Sequence, residues 1–264
     1  MQTLVTFVFK FLAALPLAWL HKLGNLLGSL GFRVLSKDRR RVFENMTLAG
    51  LNPTDEAVKK VFRETAKGGL ELPVAFFRRP EEIENLFVSV NGWEHVQTAL
   101  SAGEGLLFIT PHIGSYDLAG RYISQQLPFP LTAMYKPPKI KAFDAVMQAG
   151  RVRGKGKTAP TSIQGVKQII KALRGGEATI VLPDHVPTPE EAGDGVWVDF
   201  FGKPAYTMRL AGKLAQVKGV KALFFCGERL PDGKGFVLHI APLRGELNGD
   251  KENDARVINE NTEY

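Results

Sequence analysis

Hydrophobic and polar positions follow two different periods along the chain. Up to about residue 78, apolar side chains recur every three to four positions, which is typical of helices. Further along, strand-like runs at 105–110, 131–135, 178–183, 220–226 and 235–240 alternate with helical segments near 116–127, 140–150, 161–174 and 207–218. This alternation predicts an α/β fold with a central mixed sheet covered by helices. The stretch 183–197 is predicted to be a long loop, and loops of that length are often functional.

The first 20 residues form an apolar segment long enough for a helix of about 30 Å, the thickness of a bilayer core. Lys10 lies at its midpoint and would cost roughly 2.5–3.5 kcal/mol inside the bilayer. A spanning helix and a helix lying in the interface therefore both remain open, and a first core helix is a third possibility. We expect a helical membrane-anchoring segment over residues 1–25, followed by a single domain over residues 26–264.

Charge and cysteine content restrict the classes of partner. The formal net charge is +7, and most of it falls within residues 1–50, which favours attachment to anionic lipid. No zinc-knuckle spacing, RNA-binding aromatic signature or helix-turn-helix pattern accompanies the charge, so nucleic acid is not an expected partner. The one cysteine, Cys226, cannot form an intrachain disulfide. Without a Walker loop or a Cys-x-x-Cys pair, the sequence predicts no cofactor and no metal.

The most informative motif places His112 and Asp117 directly after the apolar run 105–110. Residues five apart on one straight helix point about 140° away from each other, so His112 must precede the helix that carries Asp117. Gly114 favours a bend between them, and Ser115 is a candidate helix cap. Histidine accepts a proton near neutral pH, and a carboxylate on its other nitrogen fixes its tautomer. The pair is interpreted as a general base with its orienting acid.

This His-x4-Asp pattern after a buried strand resembles the first motif of membrane-associated acyltransferases, which act on glycerol phosphate, lysophospholipids or lipid A precursors. Two later blocks fit that superfamily: the basic run 151–157 and the strand 178–184, which ends in Pro-Asp. The segment 195–205, with its Phe-Phe-Gly, is similar to the bacterial lipid A late acyltransferases, the lauroyl and myristoyl transferases of lipopolysaccharide assembly. The resemblance covers about residues 5–263.

The resemblance implies transfer of a fatty acyl chain from acyl carrier protein to a hydroxyl of a Kdo-containing lipid A precursor, at the cytoplasmic face of the bacterial inner membrane. It implies catalysis by His112 with Asp117. The expected binding residues are Arg151 or Arg153 for an acceptor phosphate or carboxylate, Asp184 for acceptor hydroxyls or one of those arginines, Lys136 for the carrier's acidic surface, and Phe201 for the acyl groove.

Some positions depart from the lipid A pattern and keep alternatives open. Many lipid A members carry Glu at the position of Asp117 and Gln at that of His185, whereas glycerolipid acyltransferases do use Asp. A glycerol-phosphate or lysophospholipid acyltransferase is therefore the alternative, followed by a non-catalytic lipid-binding membrane protein. A hydrolase would need a nucleophile such as Ser115, which lacks a Gly-x-Ser-x-Gly elbow. The chain also ends before the C-terminal segment usual in relatives, so a truncated C-terminus is expected. The sequence indicates no oligomeric state.

Overall fold

The computed structural model describes residues 2–138, 141–187 and 194–263. Its helices are α1 (Gln2–Ala14), α2 (Leu17–Val34), α3 (Ser36–Leu48), α4 (Asp55–Phe77), α5 (Pro80–Glu84), α6 (Trp93–Ser101), α7 (Tyr116–Gln126), α8 (Lys141–Arg151), α9 (Ile163–Arg174), α10 (Leu210–Ala215) and α11 (Lys251–Glu263). Its strands are β1 (Phe87–Asn91), β2 (Gly105–Ile109), β3 (Leu131–Tyr135), β4 (Gly156–Pro160), β5 (Ala178–Val181), β6 (Gly195–Phe200), β7 (Lys203–Met208), β8 (Val220–Arg229) and β9 (Phe236–Pro242).

Seven of the described strands form one sheet in the order β1-β9-β8-β2-β5-β3-β4. Neighbours pair in parallel except β8 and β9, which are antiparallel. Strands β6 and β7 form a separate antiparallel hairpin. The predicted central mixed sheet covered by helices is confirmed.

The sheet separates two hydrophobic layers. One face packs under α2, α4, α6 and α7, and the other under α9, α10 and α11. Every residue of β2 is buried, since β5 and β8 flank it and helices cover both of its faces. That is why Gly105–Ile109 is an unbroken apolar run rather than an alternating one.

The five strands expected from apolar runs are confirmed, as are the four helices between them. The sequence interpretation missed β1, β4 and the β6–β7 hairpin. Strand β4 begins inside the basic run 151–157 and lies at the edge of the sheet. Its residues are mostly polar or small, so it has no apolar run that would predict a strand. Of the predicted long loop 183–197, residues 188–193 lie outside the described residues and residues 195–197 belong to β6.

The single helix expected over residues 1–20 is wrong. Helix α1 ends at Ala14, and α2 begins at Leu17 with Pro16 as its N-cap. Proline has no backbone N–H and its ring clashes with the preceding turn, so it ends one helix and starts the next. Among the described helices none alone is long and apolar enough to cross a bilayer, and α1 and α2 meet that test only as a pair bent by 117°.

Helices α1 and α2 bury one face and expose the other. Phe9 of α1 packs edge-on against Phe77 and Phe143, with ring centroids 6.3 and 6.2 Å apart. The outward faces are also apolar, with exposed side chains at Leu4, Phe7, Val8 and Phe11 on α1 and at Trp19, Leu26, Leu27, Leu30 and Val34 on α2.

Two glycines allow α2 to approach α4 closely. A Cβ on Gly28 would lie 2.4 Å from Cα of Arg63, and one on Gly24 would lie 2.8 Å from Cγ of Lys67. Because real Cβ atoms do not approach backbone so closely, a side chain at either position would push α2 away from α4.

We expect Gly28→Val to destabilise the protein by about 1–3 kcal/mol, because the two helices must separate to admit the side chain. Gly69→Ala is the matched control in α4, since nothing lies within 4 Å of the new Cβ, and it should stabilise by about 0.5–1 kcal/mol. Thermal unfolding of both variants measures the difference. A Gly28→Val protein as stable as wild type would contradict the close packing.

Candidate active site

The predicted base and a carboxylate meet at the carboxyl edge of the sheet. Strands β2 and β5 are parallel neighbours, and Ile109 pairs with Val181. His112 follows Ile109 by three residues, and Asp184 follows Val181 by three residues. Because parallel strands end at the same edge, equal steps beyond the pair bring the two side chains together.

The carboxylate of Asp184 holds His112 at two points. Oδ1 lies 2.8 Å from ring Nδ1, and Oδ2 accepts a hydrogen bond of 2.8 Å from the backbone N–H of His112. A carboxylate on Nδ1 places the proton there and leaves the lone pair on Nε2. No described residue bonds to Nε2, and the His112 side chain is 45% exposed. The imidazole is therefore arranged to take a proton from an incoming group.

Asp117 does not occupy the position predicted for it. Helix α7 begins at Tyr116, so Asp117 lies in its first turn, and its carboxylate pairs with Nη2 of Arg151 at 3.4 Å. Asp184 instead takes the place on Nδ1 of His112. Asp117 is nonetheless close enough to His112 for the two charges to interact. The position expected for the orienting acid is therefore taken by Asp184, which the sequence had suggested for acceptor hydroxyls or an arginine.

Tyr116 completes the surroundings of the imidazole. Its ring meets that of His112 edge-on, with centroids 5.0 Å apart. Burial and the neighbouring charge of Asp117 raise the pKa of Tyr116 to about 12, so the phenol stays protonated at neutral pH.

Arg121, Arg151 and Arg153 concentrate positive charge beside the site. The side chain of Arg121 is buried and donates to the carbonyls of Ala75, Gly150 and Arg153. Burial, followed by the charges of Arg153 and Arg151, lowers the pKa of Arg121 to about 10. The resulting positive potential suits an anionic ligand.

Two residues predicted for binding lie elsewhere. Arg153 donates to the carbonyls of Phe76 and Arg78 at the end of α4, at 3.0 and 2.6 Å, and so ties that helix end rather than a ligand. Phe201 lies at the tip of the β6–β7 hairpin with φ of 50°, is 41% exposed, and does not line the cavity beside His112. With Gly202 it forms a two-residue turn of positive φ, which explains the glycine of the Phe-Phe-Gly pattern.

A cavity of about 530 Å³ opens beside His112, a volume typical of small-molecule sites. Asp117, Arg151 and Lys136 also line it. Along α7 its wall continues through Gly120, Arg121 and Ser124, which share one helix face. From Tyr116 to Ser124 that wall runs about 12 Å away from the imidazole.

The far wall of the cavity is mostly apolar. Strand β3 pairs with β5 only from Leu131 to Ala133, so the two strands are not paired beyond that point, toward their carboxyl ends. Residues of both strands line the cavity: Leu131, Ala133 and Ile180 within the paired stretch, and Met134 and Val181 beyond it. The site thus combines a polar mouth at His112 with an apolar interior.

A comparison with protein families matches residues 1–264 to the model described as bacterial lipid A biosynthesis acyltransferase. The chain belongs to this family. Its resemblance to lipid A acyltransferases is therefore confirmed, and acyl transfer in lipid A biosynthesis is the family's activity.

Two curated relatives share this chemistry by name. The chain is 27% identical to a lipid A biosynthesis lauroyltransferase of Escherichia coli (strain K12) over 233 residues, which cover 86% of this chain and 74% of that protein. It is 31% identical to a lipid A biosynthesis acyltransferase of Haemophilus influenzae (strain ATCC 51907 / DSM 11121 / KW20 / Rd) over 173 residues, or 65% of this chain and 52% of that protein.

Ser115 and Cys226 are not arranged as nucleophiles. Ser115 is buried and does not line the cavity, and its Oγ donates to Oε2 of Glu71 at 2.8 Å. The sequence suggested that Ser115 caps α7, but its side chain makes no capping hydrogen bond to the helix. Burial raises the pKa of the Cys226 thiol, which disfavours the thiolate. Residues 2–138, 141–187 and 194–263 contain no group of three or more His, Cys, Asp or Glu that could hold a metal.

Sequence reasoning missed a buried ionic cluster beneath His112, formed by Glu71, Arg229 and His21. Glu71 lies in the C-terminal half of α4 and is 2% exposed. The signal available in the sequence was one acidic residue inside the apolar stretch 70–77. Charged side chains are rarely buried without a partner, so such a position predicts a partner elsewhere in the chain.

The two aspartates should affect stability in opposite directions. Burial opposes the charged form of Asp184, but the hydrogen bonds from His112 outweigh it, so the pKa of Asp184 lies below its ordinary value. Burial raises the pKa of Asp117, which Arg151, Tyr116 and His112 offset only in part. Ionisation of Asp184 thus stabilises the folded state, whereas ionisation of Asp117 destabilises it.

We expect Asp184→Asn to lower the melting temperature at pH 7 and Asp117→Asn to leave it unchanged or raise it. The Asp117 difference should shrink as the pH falls through the raised pKa of that carboxyl towards about 4, whereas the Asp184 difference should shrink only below about 4, as the pH approaches the lowered pKa of that carboxyl. Thermal unfolding of the three proteins at several pH values measures this. An Asp184→Asn protein more stable than wild type at pH 7 would show that the contact with His112 is not the one described.

Proposed function

We propose that this protein transfers a fatty acyl chain from acyl carrier protein to a hydroxyl of a Kdo-containing lipid A precursor. The observation that carries the proposal is the His112–Asp184 pair, whose unbonded Nε2 stands at the mouth of a largely apolar cavity. Family membership supports the reaction class and the pathway. The donor and the acceptor are those that the sequence resemblance implies.

In the proposed reaction, Nε2 of His112 removes the proton from the acceptor hydroxyl. The acceptor oxygen then bonds to the carbonyl carbon of the thioester, giving a tetrahedral oxyanion. When this intermediate collapses, the carbon–sulfur bond breaks and the leaving thiolate takes the proton from the imidazolium. The products are an ester and the free thiol of the carrier, and base catalysis of this kind is worth about 10²–10⁴ in rate.

Asp184 and Asp117 would have different roles in the reaction. The first fixes the tautomer of His112 and stabilises the imidazolium through its contact with Nδ1. The second anchors Arg151 at the cavity wall. Nε of Arg151 is buried and has no hydrogen-bond partner among the described residues, so it is our candidate to bind an acceptor phosphate or carboxylate.

The acyl chain would lie along α7 in the apolar part of the cavity. Gly120 leaves room there, since a Cβ at this position would lie 3.2 Å from Cδ1 of Ile180. The thioester end would then face His112, and Lys136 at the rim would meet the acidic carrier protein. That carrier contact rests on charge complementarity.

The proposed location is the cytoplasmic face of the inner membrane. The uncovered apolar faces of α1 and α2 support it, because exposed apolar surface of that extent marks an interaction site. Basic residues accompany these faces, including Lys10, Lys22 and Arg33, as expected for contact with anionic lipid.

We expect His112→Ala to abolish acyl transfer and Asp184→Asn to lower kcat by about 10²–10⁴, since either change removes the oriented base. Asp117→Asn should act mainly through the KM of the acceptor. The matched control is His239→Ala, which breaks an exposed histidine–carboxylate pair with Glu228 outside the cavity and should leave activity unchanged.

The assay measures transfer of a radiolabelled acyl group from acyl carrier protein to the Kdo-bearing precursor, with lysophosphatidic acid as the parallel acceptor. Transfer to lysophosphatidic acid alone would overturn the proposed acceptor in favour of a glycerolipid. Transfer to neither by the wild-type protein would leave a non-catalytic lipid-binding protein.

We expect Ala133→Phe to favour the decanoyl over the myristoyl donor relative to the wild-type ratio, because the ring fills the cavity along the path of the chain. Ala241→Phe is the matched control at an exposed position of β9, outside the cavity. Competition between the two acyl carriers measures the ratio of their kcat/KM values. An unchanged ratio would mean that the chain does not occupy this cavity.

A further inference from the structure

A buried carboxylate lies directly behind the segment 110–115, which carries His112 and is called the catalytic turn below. Glu71 of α4 is 2% exposed and does not line the cavity. Its Oε2 accepts from Oγ of Ser115 at 2.8 Å and from Nη2 of Arg229 at 2.7 Å. Its Oε1 accepts from Nε of Arg229 at 2.5 Å and from Nε2 of His21 at 2.7 Å. One side chain therefore connects α2, β8 and the catalytic turn.

Arg229 gives Glu71 a second path to the same turn. Its Nη2 donates to the carbonyl oxygen of Gly114 at 3.1 Å, and its Nη1 donates to Glu64 at 2.7 Å. The guanidinium side chain is only 6% exposed, so its contacts are shielded from water. Charge-assisted bonds of this kind are the stronger ones in proteins.

The backbone of the catalytic turn is fitted tightly against β8. Gly114 has φ of 59°, and a Cβ there would lie 2.2 Å from the carbonyl oxygen of Gly227. That same oxygen accepts a 2.8 Å hydrogen bond from the backbone N–H of Ser115. A small displacement of this contact moves His112, which lies two residues before Gly114.

Glu71 remains charged in this position. Burial alone would raise its pKa, but the hydrogen bonds from Arg229 and His21 and the charge of Arg229 hold the pKa below its ordinary value. A buried ion pair contributes little net stability compared with apolar packing, and its best-supported use is to select one arrangement. Glu71 contacts the catalytic turn directly through Ser115 and indirectly through Arg229.

We infer that Glu71 is a positioning residue for His112 and acts through Ser115 and Arg229. It fixes the catalytic turn so that the imidazole meets Asp184 on one side and the cavity on the other. The inference rests on the proposed function, in which His112 is the base. A misplacement of about 1 Å far from the reacting atoms can cost about 100-fold in rate.

The first test is Ser115→Ala, which removes one hydroxyl contact with Glu71 and leaves the cavity lining intact. In full-length protein purified in detergent, we expect kcat to fall about 10–100-fold while the KM values of donor and acceptor stay within about twofold. Ser115→Thr retains a hydroxyl and should recover most of kcat. The control is Ser29→Ala, which loses a 2.8 Å hydrogen bond from Arg63 between α2 and α4 without any link to the turn, and should keep wild-type kcat.

Glu71→Gln is the second variant, because it keeps the side-chain shape and removes the charge that holds Arg229. Its kcat should fall at least as far as that of Ser115→Ala. If either variant loses only folded yield or melting temperature while the folded fraction keeps wild-type kcat, Glu71 is a structural residue and the inference is wrong. A rise in KM with unchanged kcat would also overturn it.

A readout without turnover separates this inference from the proposed function. Nitrogen-15 NMR of labelled histidine reports the tautomer of each ring, and the His112 signals are assigned by their loss in His112→Ala. Wild-type His112 should be the Nδ1–H tautomer, whereas Ser115→Ala and Glu71→Gln should give a mixture. An unchanged tautomer in both variants would overturn the positioning role even if the wild-type protein transfers acyl groups. If the two variants give a mixture of tautomers but the wild-type protein transfers no acyl group, the positioning role is supported and the proposed reaction is rejected.

Discussion

Strand β2, buried and paired in parallel on both sides, is the constraint on which the site depends. Its last residue, Ile109, pairs with Val181 of β5 and with Phe224 of β8. Three residues beyond that row lie His112, Asp184 and Gly227. Asp184 contacts His112, and the carbonyl of Gly227 accepts from Ser115 in the turn that carries His112. The register of the sheet therefore sets the position of the base, of its orienting carboxylate and of the backbone that supports the turn. A slip of one residue in either pairing would separate them.

The carboxylates around His112 differ in whether their surroundings favour the charged form. Asp184 and Glu71 are held ionised by hydrogen bonds, and these bonds fix the imidazole and the turn that carries it. Asp117 is held in a place that disfavours its charge, beside the cavity and paired with Arg151. A carboxylate kept at a cost to stability is a common property of functional sites. Asp184 and Asp117 look equivalent in the sequence alone. We nevertheless expect loss of the Asp184 charge to lower stability, and loss of the Asp117 charge to affect function without lowering stability.

The sequence predicted the architecture well where physics is local. Apolar runs identified five strands because each of these strands carries buried apolar side chains, and the blocks containing His112 and Asp184 were both recognised. The pairing between the blocks was missed, because a partner 72 residues away is set by sheet order and not by spacing along the chain. Arg153 and Phe201 lie away from the cavity, because Arg153 bonds to carbonyls at the end of α4 and Phe201 forms a hairpin turn. Pro16 was a local signal, and it broke the helix expected over residues 1–20.

The most direct test of the proposed acyl site is an experimental structure with a bound acyl-pantetheine analogue in which an amide replaces the thioester. We expect the acyl chain to lie along α7 between Gly120 and Ala133, the amide carbonyl beside Nε2 of His112, and Asp184 on Nδ1. A chain bound outside this cavity would contradict the proposed donor site. Asp117 in place of Asp184 on Nδ1 would contradict the assignment of the orienting carboxylate.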